Sequence, residues 1–292
     1  PQAVETLYGR RIAMSASRID RLKSCHFGYF MEYGLRAKER TSAGFEAPEV
    51  GTFIHYLLEN VNRDICDRGG YGRVDRAALR RLVHHYVDEY ARTQIDGYAG
   101  KSARFRYLFS RLRETACAIV ENIADEMAVS DFRPVAFELG FGGKDGQLPA
   151  VTVTEGNTTL SVGGKVDRVD GWIKNGRLYL RVVDYKTGKK AFDLTDVRYG
   201  LGIQMLLYLF ALKKEGKQRF GMDIEPAGVL YLPARDEILS AERNITPEQL
   251  QSQREKELRR TGLLLSEPEV LQAMEHEALQ SPRFLPVRVN RE

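Results

Sequence analysis

The sequence predicts an α/β core behind an N-terminal helical lobe. Three observations carry that expectation. Apolar residues recur at helical spacing over most of residues 14–128. At about Pro134 the period changes to alternation, the pattern of strands. An Asn175-Gly176 dipeptide then separates two alternating runs, a strong short-range hairpin signal. The change of period divides the chain into a mostly helical part, 1–133, and a sheet-bearing core with C-terminal helices, 134–292.

Each element has its own signal. MSASRIDRLKSCHFGYF (14–30) offers Ser15 or Ser17 as a helix N-cap, followed by Ile19, Leu22, Phe27 and Phe30 at roughly helical intervals. APEVGTFIHYLLENVNRDI (47–65) puts Val50, Ile54, Leu57, Leu58 and Val61 on one face. RAALRRLVHHYVDEYA (76–91) and YLFSRLRETACAIVENIADEMA (107–128) predict two more amphipathic helices, with the basic stretch 92–106 as a loop between them. In PVAFELGFG (134–142), Val135, Phe137, Leu139 and Phe141 alternate against Glu138, which predicts a strand. VTVT (151–154) and LSVG (160–163) flank an EGN turn, and KVDRVDGWIK and RLYLRVVDYK flank the Asn-Gly turn. Helical character returns over 196–214, a strand follows at AGVLYLP (227–233), and a last helical stretch comes after Pro247. There are no internal repeats and no low-complexity segments.

Composition narrows the classes. With 43% hydrophobic and 29% charged residues, the 292-residue chain reads as a globular protein large enough to bury a sizeable core. No apolar run approaches the ~20 residues of a membrane-spanning helix, and no secretory signal is present. The chain begins at Pro1, so it reads as a piece of something longer. Cys25, Cys66 and Cys117 lie far apart and form neither a CxxC pair nor a disulfide framework, which fits a reducing cytoplasm. A net charge of +4 is compatible with nucleic acid. No GxxxxGK[ST] phosphate loop exists, and the GGK at 142–144 lacks the spacing, so any ATP-driven motor lies elsewhere.

The hairpin sets the expected chemistry. A two-residue turn at Asn175-Gly176 puts Lys174 opposite Arg177, Trp172 opposite Tyr179, Asp170 opposite Arg181 and Val169 opposite Val182. Aromatic with aromatic and acid with base are favoured cross-strand pairs, so the register is credible. The same register puts Asp167 opposite Asp184, with Cβ atoms ~5 Å apart. Two like charges so placed need compensation, and a hard divalent cation, Mg²⁺ or Mn²⁺, supplies it. Lys186 shares their face by the period-two rule. Taken singly, each is an ordinary strand-end charge; in register, they point to a metal site. The carbonyl of Tyr185 is a candidate extra ligand. Glu138, which breaks an apolar strand, is a candidate third carboxylate or simply a solvated position. Arg168, Lys189, Lys190 and Arg198 lie near the site in sequence and are candidate DNA-phosphate contacts, or an ordinary solvated rim.

Two helices carry polar residues where apolar ones are expected. VRYGLGIQMLLYLFAL (197–212) is apolar almost all round except for Gln204 and Tyr208, with Gly200 one turn earlier on the same face. Buried polar groups need partners. The pair would bond the catalytic lysine, the metal shell, a DNA phosphate or nearby backbone. His55 lies at the edge of the apolar face of 47–65, with Gly51 one turn before, and is a core histidine, a metal ligand or a phosphate contact. His84 and His85 read as surface residues.

GGKVDRVD, VVDYKTGKK and QMLLY resemble the RecB-like branch of the PD-(D/E)XK nucleases. SASRIDRLKSCHFGYFMEYGL, APEVGTFIHYLLE, DFRPVAFELGFG and YGLGIQMLLYL, in that order, resemble the C-terminal nuclease domains of AddB-type subunits, from about Ser15 to Val289. The resemblance implies an α/β fold with a restriction-endonuclease-like core, a mixed central sheet flanked by helices, beside the N-terminal helical lobe. It implies metal binding by Asp167 and Asp184, catalysis by Lys186, a histidine motif at His55, a QxxxY motif at Gln204 and Tyr208, and an acid at Glu138. It further implies DNA cleavage, on the 5′-ended strand, beside an AddA-type helicase–nuclease subunit that unwinds ends for recombinational repair in a bacterial cytoplasm. Such domains commonly carry a 4Fe–4S cluster. Cys25 matches its first ligand, but three cysteines cannot build the four-cysteine site, so either the sequence stops short of a C-terminal cysteine cluster that the full-length protein carries or this member lacks the 4Fe–4S group. For the chain as given, Cys25 is expected to be a small buried residue. Lys186 is expected to act through its charge rather than as a base. Two other readings stay open: a stand-alone RecB-like or Cas4-like nuclease, and a DNA-holding module that keeps the fold without catalysis.

Overall fold

A computed structural model describes residues 5–6, 9–37, 47–95, 97–143, 146–189, 191–235 and 245–288. Strand β1 (Arg11–Ser15) leads directly into helix α1 (Ala16–Ser24), whose N-cap, Ser15, accepts a hydrogen bond from the Arg18 amide. The lobe consists of α2 (Ala47–Asp67), α3 (Arg76–Gln94) and α4 (Ala103–Ala128). Asp75 and Ser102 are the N-caps of α3 and α4, and because α3 runs to Gln94 and α4 starts at Ala103, the loop expected over 92–106 shrinks at both ends. The sheet follows with β2 (Arg133–Phe141), β3 (Val151–Glu155), β4 (Thr158–Lys174) and β5 (Arg177–Lys186). Helix α5 (Gln204–Phe220), β6 (Asp223–Pro233), α6 (Pro247–Leu258), β7 (Thr261–Leu264) and α7 (Pro268–Met274) complete the order.

The sheet is mixed and seven-stranded, and β4 is its spine. The first part of β4 pairs with β1 in parallel and with β3 antiparallel. Its second part pairs antiparallel with β2 and β5, and the sheet continues through β6, parallel to β5, to β7. The two runs expected on either side of Gly163-Gly164 are thus one strand. The Asn175-Gly176 hairpin has the expected register, with Lys174↔Arg177, Trp172↔Tyr179, Asp170↔Arg181 and Val169↔Val182.

Two departures matter for the site. The helix expected over 196–214 is interrupted, because Gly200 (φ +80°) and Gly202 (φ +63°) adopt left-handed backbone between a short turn of helix at Leu194–Arg198 and α5. Gly200 therefore lies before the helix, not on the Gln204–Tyr208 face. Ile173, an apolar residue of the alternating run KVDRVDGWIK, is exposed near the hairpin tip.

Apolar residues pack on both faces. Phe53, Leu57, Val61 and Ile65 of α2 join α3, α4 and Val183, Tyr185 and Leu230 of the sheet. Val169, Leu180 and Val182 pack against Met205, Leu209 and Leu212 of α5. A single core thus joins the lobe to the sheet across residue 133.

A buried ionic network lies beneath the hairpin. Glu126 of α4 accepts from Arg181 and Arg260 at 2.8 Å each, and Asp170 pairs with Arg168 at 2.8 Å and Arg181 at 3.0 Å. All five side chains are essentially buried. Arg168 is therefore not a DNA contact, contrary to the expectation from its position in sequence. Alternation turns it to the face opposite Asp167 and into this network, where it pairs with Asp170 at 2.8 Å and lies 4.0 Å from Glu126.

Candidate active site

The site forms where one row of residues crosses adjacent strands. Phe137↔Arg168 and Leu139↔Val166 flank Glu138 and Asp167, placing these two acids opposite each other on β2 and β4. One step beyond Arg168↔Val183, the hairpin brings Asp184 opposite Asp167. The row continues through Asp184↔Tyr231 and Tyr231↔Thr261. Glu138 adopts a positive φ of 48°, which re-aims its side chain and stores on the order of 1–3 kcal/mol of strain.

Helix α2 supplies the fourth group. His55 Nδ1 lies 3.3 Å from Asp167 Oδ1, and its ring meets that of Tyr185 edge-on at 5.9 Å. The ligand atoms of His55, Glu138 and Asp167 lie within 4.8 Å of one another. Asp167 is held from the other side by the Tyr185 backbone N–H, which donates to Oδ2 at 2.7 Å. The Tyr185 phenol is in turn buried and accepts from Asn62 Nδ2 at 3.2 Å. Asp184 stands beside this trio, with its Oδ2 2.5 Å from Lys186 Nζ. Lys186 also lies 5.7 Å from the centre of the Tyr231 ring.

The electrostatics are those of crowded, buried carboxylates. Burial, then the Asp167 charge, push the Asp184 carboxyl up to about 6 despite Lys186. Burial likewise raises Glu138 against the pull of Lys165. Burial opposes protonation of His55, but the Asp167 hydrogen bond and the charges of Asp167, Asp184 and Glu138 outweigh it and raise its pKa. Crowded carboxylates at the polar rim of a buried sheet, with a half-buried imidazole, form a donor set that suits a hard divalent cation.

Of the expected residues, the fold brings together His55, Glu138, Asp167, Asp184, Tyr185 and Lys186. Gln204 and Tyr208 bond to each other at 2.6 Å. They approach through β4: the Tyr208 ring lies against Gly164, and its phenol bonds the backbone of Lys165. Lys189 is exposed and lies 3.5 Å from Glu257, and Arg198 is exposed after the short turn of helix. Lys190 lies outside the described residues. Cys25 is exposed, not buried, and its Sγ accepts from the Gly28 amide to cap a helical turn. Lys165, which pairs with Glu138, was missed by sequence reasoning. Its signal was available, since it lies two residues before Asp167 on the same strand.

The PD-(D/E)XK nuclease superfamily profile matches residues 13–283. An ATP-dependent helicase/deoxyribonuclease subunit of Acetivibrio thermocellus is 34% identical over 100% of the chain and 26% of its own length. The subunits of the same name from Clostridium tetani and Clostridium novyi are 32% and 31% identical, over 99% and 100% of the chain. The chain spans about a quarter of the length of these relatives. No helix of the described residues is long and apolar enough to cross a membrane. The mixed sheet flanked by helices is the restriction-endonuclease-like architecture expected, and its acidic row and lysine lie inside the matched region. The chain belongs to the PD-(D/E)XK nuclease superfamily.

Proposed function

We propose that this chain is the deoxyribonuclease domain of an AddAB-type helicase–nuclease, and that it hydrolyses phosphodiester bonds of unwound DNA ends with Mg²⁺ or Mn²⁺. The observation that carries the reading is the row Glu138–Asp167–Asp184, flanked by His55 and Lys186. His55, Glu138, Asp167 and Asp184 would hold the cation, with the Tyr185 carbonyl as a further ligand. Such a cation supplies Lewis acidity at the scissile phosphate and lowers the pKa of an attacking water. Lys186 places its ammonium where charge gathers on the phosphoryl oxygens. Asp184 pairs with that ammonium at 2.5 Å and would release it to the phosphate on turning to the cation. Gln204 and Tyr208 act indirectly, fixing the strand that carries Lys165 and Asp167. Lys189 and Arg198 offer positive charge to the backbone of the strand.

Action on the 5′-ended strand, recombinational repair and an AddA-type partner subunit belong to the same reading and rest on the resemblance to helicase/deoxyribonuclease subunits. The three cysteines do not make a 4Fe–4S ligand set: Cys117 is buried with its thiol pushed up to about 11, chiefly by burial, and three thiols cannot supply four ligands.

The test is hydrolysis of end-labelled single-stranded DNA in Mg²⁺, comparing the unaltered chain with Asp184→Ala. The reading expects cleavage by the first alone, and labels at either end report the polarity. Equal cleavage by both proteins removes Asp184 from the mechanism. Binding without cleavage by either supports a DNA-holding module instead.

A further inference from the structure

Cations lie beyond the hydrolytic row as well as within it. On one side of Lys186, an open cavity of about 270 Å³ runs between the turn after β5, the end of β6 and the C-terminal end of α6. Among the described residues, Lys186, Lys189, Arg235, Lys256 and Arg259 line it together with one carboxylate, Glu257. We propose that this cavity binds a phosphate group of the DNA strand next to the one being cleaved, and so holds the strand in line with Lys186. The inference rests on the DNA-hydrolase reading and extends it to residues outside the hydrolytic row.

Charge is the first argument. Lys186 is paired with Asp184 at 2.5 Å and Lys189 with Glu257 at 3.5 Å, and Lys256 and Arg259 add positive charge to the same wall. Lys256 makes no ion pair among the described residues. Such an excess in one concavity attracts an anion of more than one charge-bearing oxygen.

Preorganisation is the second. Arg235 Nη1 donates to the Gly188 carbonyl at 2.9 Å, and Arg259 Nη2 donates to the Pro282 carbonyl at 2.6 Å. Backbone thus fixes both guanidiniums before any ligand arrives. Arg259 Nε is buried without a hydrogen-bond partner among the described residues. A planar guanidinium with donors to spare matches phosphate oxygens.

Continuity is the third. Lys186 lines the cavity and also pairs with Asp184, so an anion held there sits directly beside the acidic row. An acidic peptide would satisfy the charge alone. A polyanionic strand already running past Lys186 satisfies the charge and the position together. Helix α6, which carries Lys256, buries none of its side chains. It contributes the polar wall of a surface channel rather than core.

The test measures binding in EDTA, where hydrolysis does not intervene, by fluorescence anisotropy of a labelled 20-nucleotide oligothymidylate over a range of salt. The variants are Lys256→Gln, Lys256→Arg, and Lys214→Gln as a control that lines no part of the cavity. Lys256→Gln is expected to raise Kd about three- to fivefold. It should also reduce the slope of log K against log salt by about 0.7, one single-strand phosphate contact. Lys256→Arg should restore both, and the control should change neither. A penalty seen with and without a 5′-phosphate on the oligonucleotide identifies an internal phosphodiester. A penalty confined to the phosphorylated oligonucleotide identifies a terminal phosphate and overturns the internal assignment. Unchanged Kd and slope in Lys256→Gln overturn the inference while leaving the hydrolytic row untouched. Loss of the hydrolysis reading would instead appear as salt-dependent, Lys256-dependent binding without cleavage in Mg²⁺.

Discussion

Replacing Glu126 by Gln should destabilise the protein by about 3–5 kcal/mol, the range for breaking a buried ion pair. The structure gives the sign: burial alone would raise the Glu126 carboxyl, but Arg260, Arg181 and Arg168 lower it from 4.5 to about 2. The glutamine keeps the shape but leaves Arg168 and Arg181 to share Asp170, and Arg260 with only Asn122 and the Leu258 carbonyl. Urea unfolding followed by circular dichroism at pH 7 gives the difference directly. The pH dependence has a definite sign. A depressed folded pKa contributes stability fully present above the unfolded value near 4.5, and that stability is lost as pH falls through about 2. The gap between wild type and Glu126→Gln should therefore be constant above about pH 5 and close between there and about pH 2. A gap under about 1 kcal/mol at pH 7, or one that does not narrow in acid, would refute the assignment of Glu126 as the network's counter-charge.

Other perturbations probe the site itself. Lys186→Gln should lower the rate of single-stranded DNA cleavage on the order of 10²–10³-fold with little change in unfolding free energy, as measured by single-turnover assay beside a denaturant curve. Asp184→Asn should abolish cleavage yet raise the stability of the cation-free protein by on the order of 1–3 kcal/mol, since a buried carboxylate crowded by Asp167 is removed; a loss of stability in EDTA would contradict it. Gly164→Ala would place a methyl 2.7 Å from the Tyr208 ring. It should slow cleavage on the order of 10- to 100-fold by displacing the strand that carries Lys165 and Asp167, and unchanged kinetics would show that Tyr208 does not position the site. Asn62→Leu strips the buried Tyr185 phenol of its donor and should cost on the order of 1–3 kcal/mol in a urea titration.

Much of this site was legible because its logic is local. Asn175-Gly176 fixes a register, and alternation then carries Asp184, Asp167 and Lys186 to one place without further information. The 3.6-residue period of α2 put His55 at the edge of a buried face. What stayed hidden was non-local. Strand β1 is five residues of unexceptional composition, and its partner lies nearly 150 residues later, at Thr159–Gly163. Strand β7 is four residues long and is defined only by its pairing with β6. Arg168 looked like part of a basic rim because a sequence shows neighbours, not faces. The acids that bury it, Asp170 and Glu126, come from two residues and from 42 residues away along the chain. The positive φ at Glu138 leaves no trace in an alternating strand, since backbone re-aiming is imposed by the neighbours. Likewise the basic cavity beyond Lys186 gathers residues from β5, β6 and α6, which no linear pattern connects.

The central claim is that Asp184 exchanges Lys186 for a shared cation. Anomalous diffraction from a crystal of this chain equilibrated with Mn²⁺ tests it most directly. The account predicts one strong anomalous peak within coordination distance of both Asp167 and Asp184, with His55 or Glu138 beside it and the Asp184 carboxylate turned from the ammonium toward the ion. A peak elsewhere, or none while Asp184 stays paired with Lys186, would contradict it.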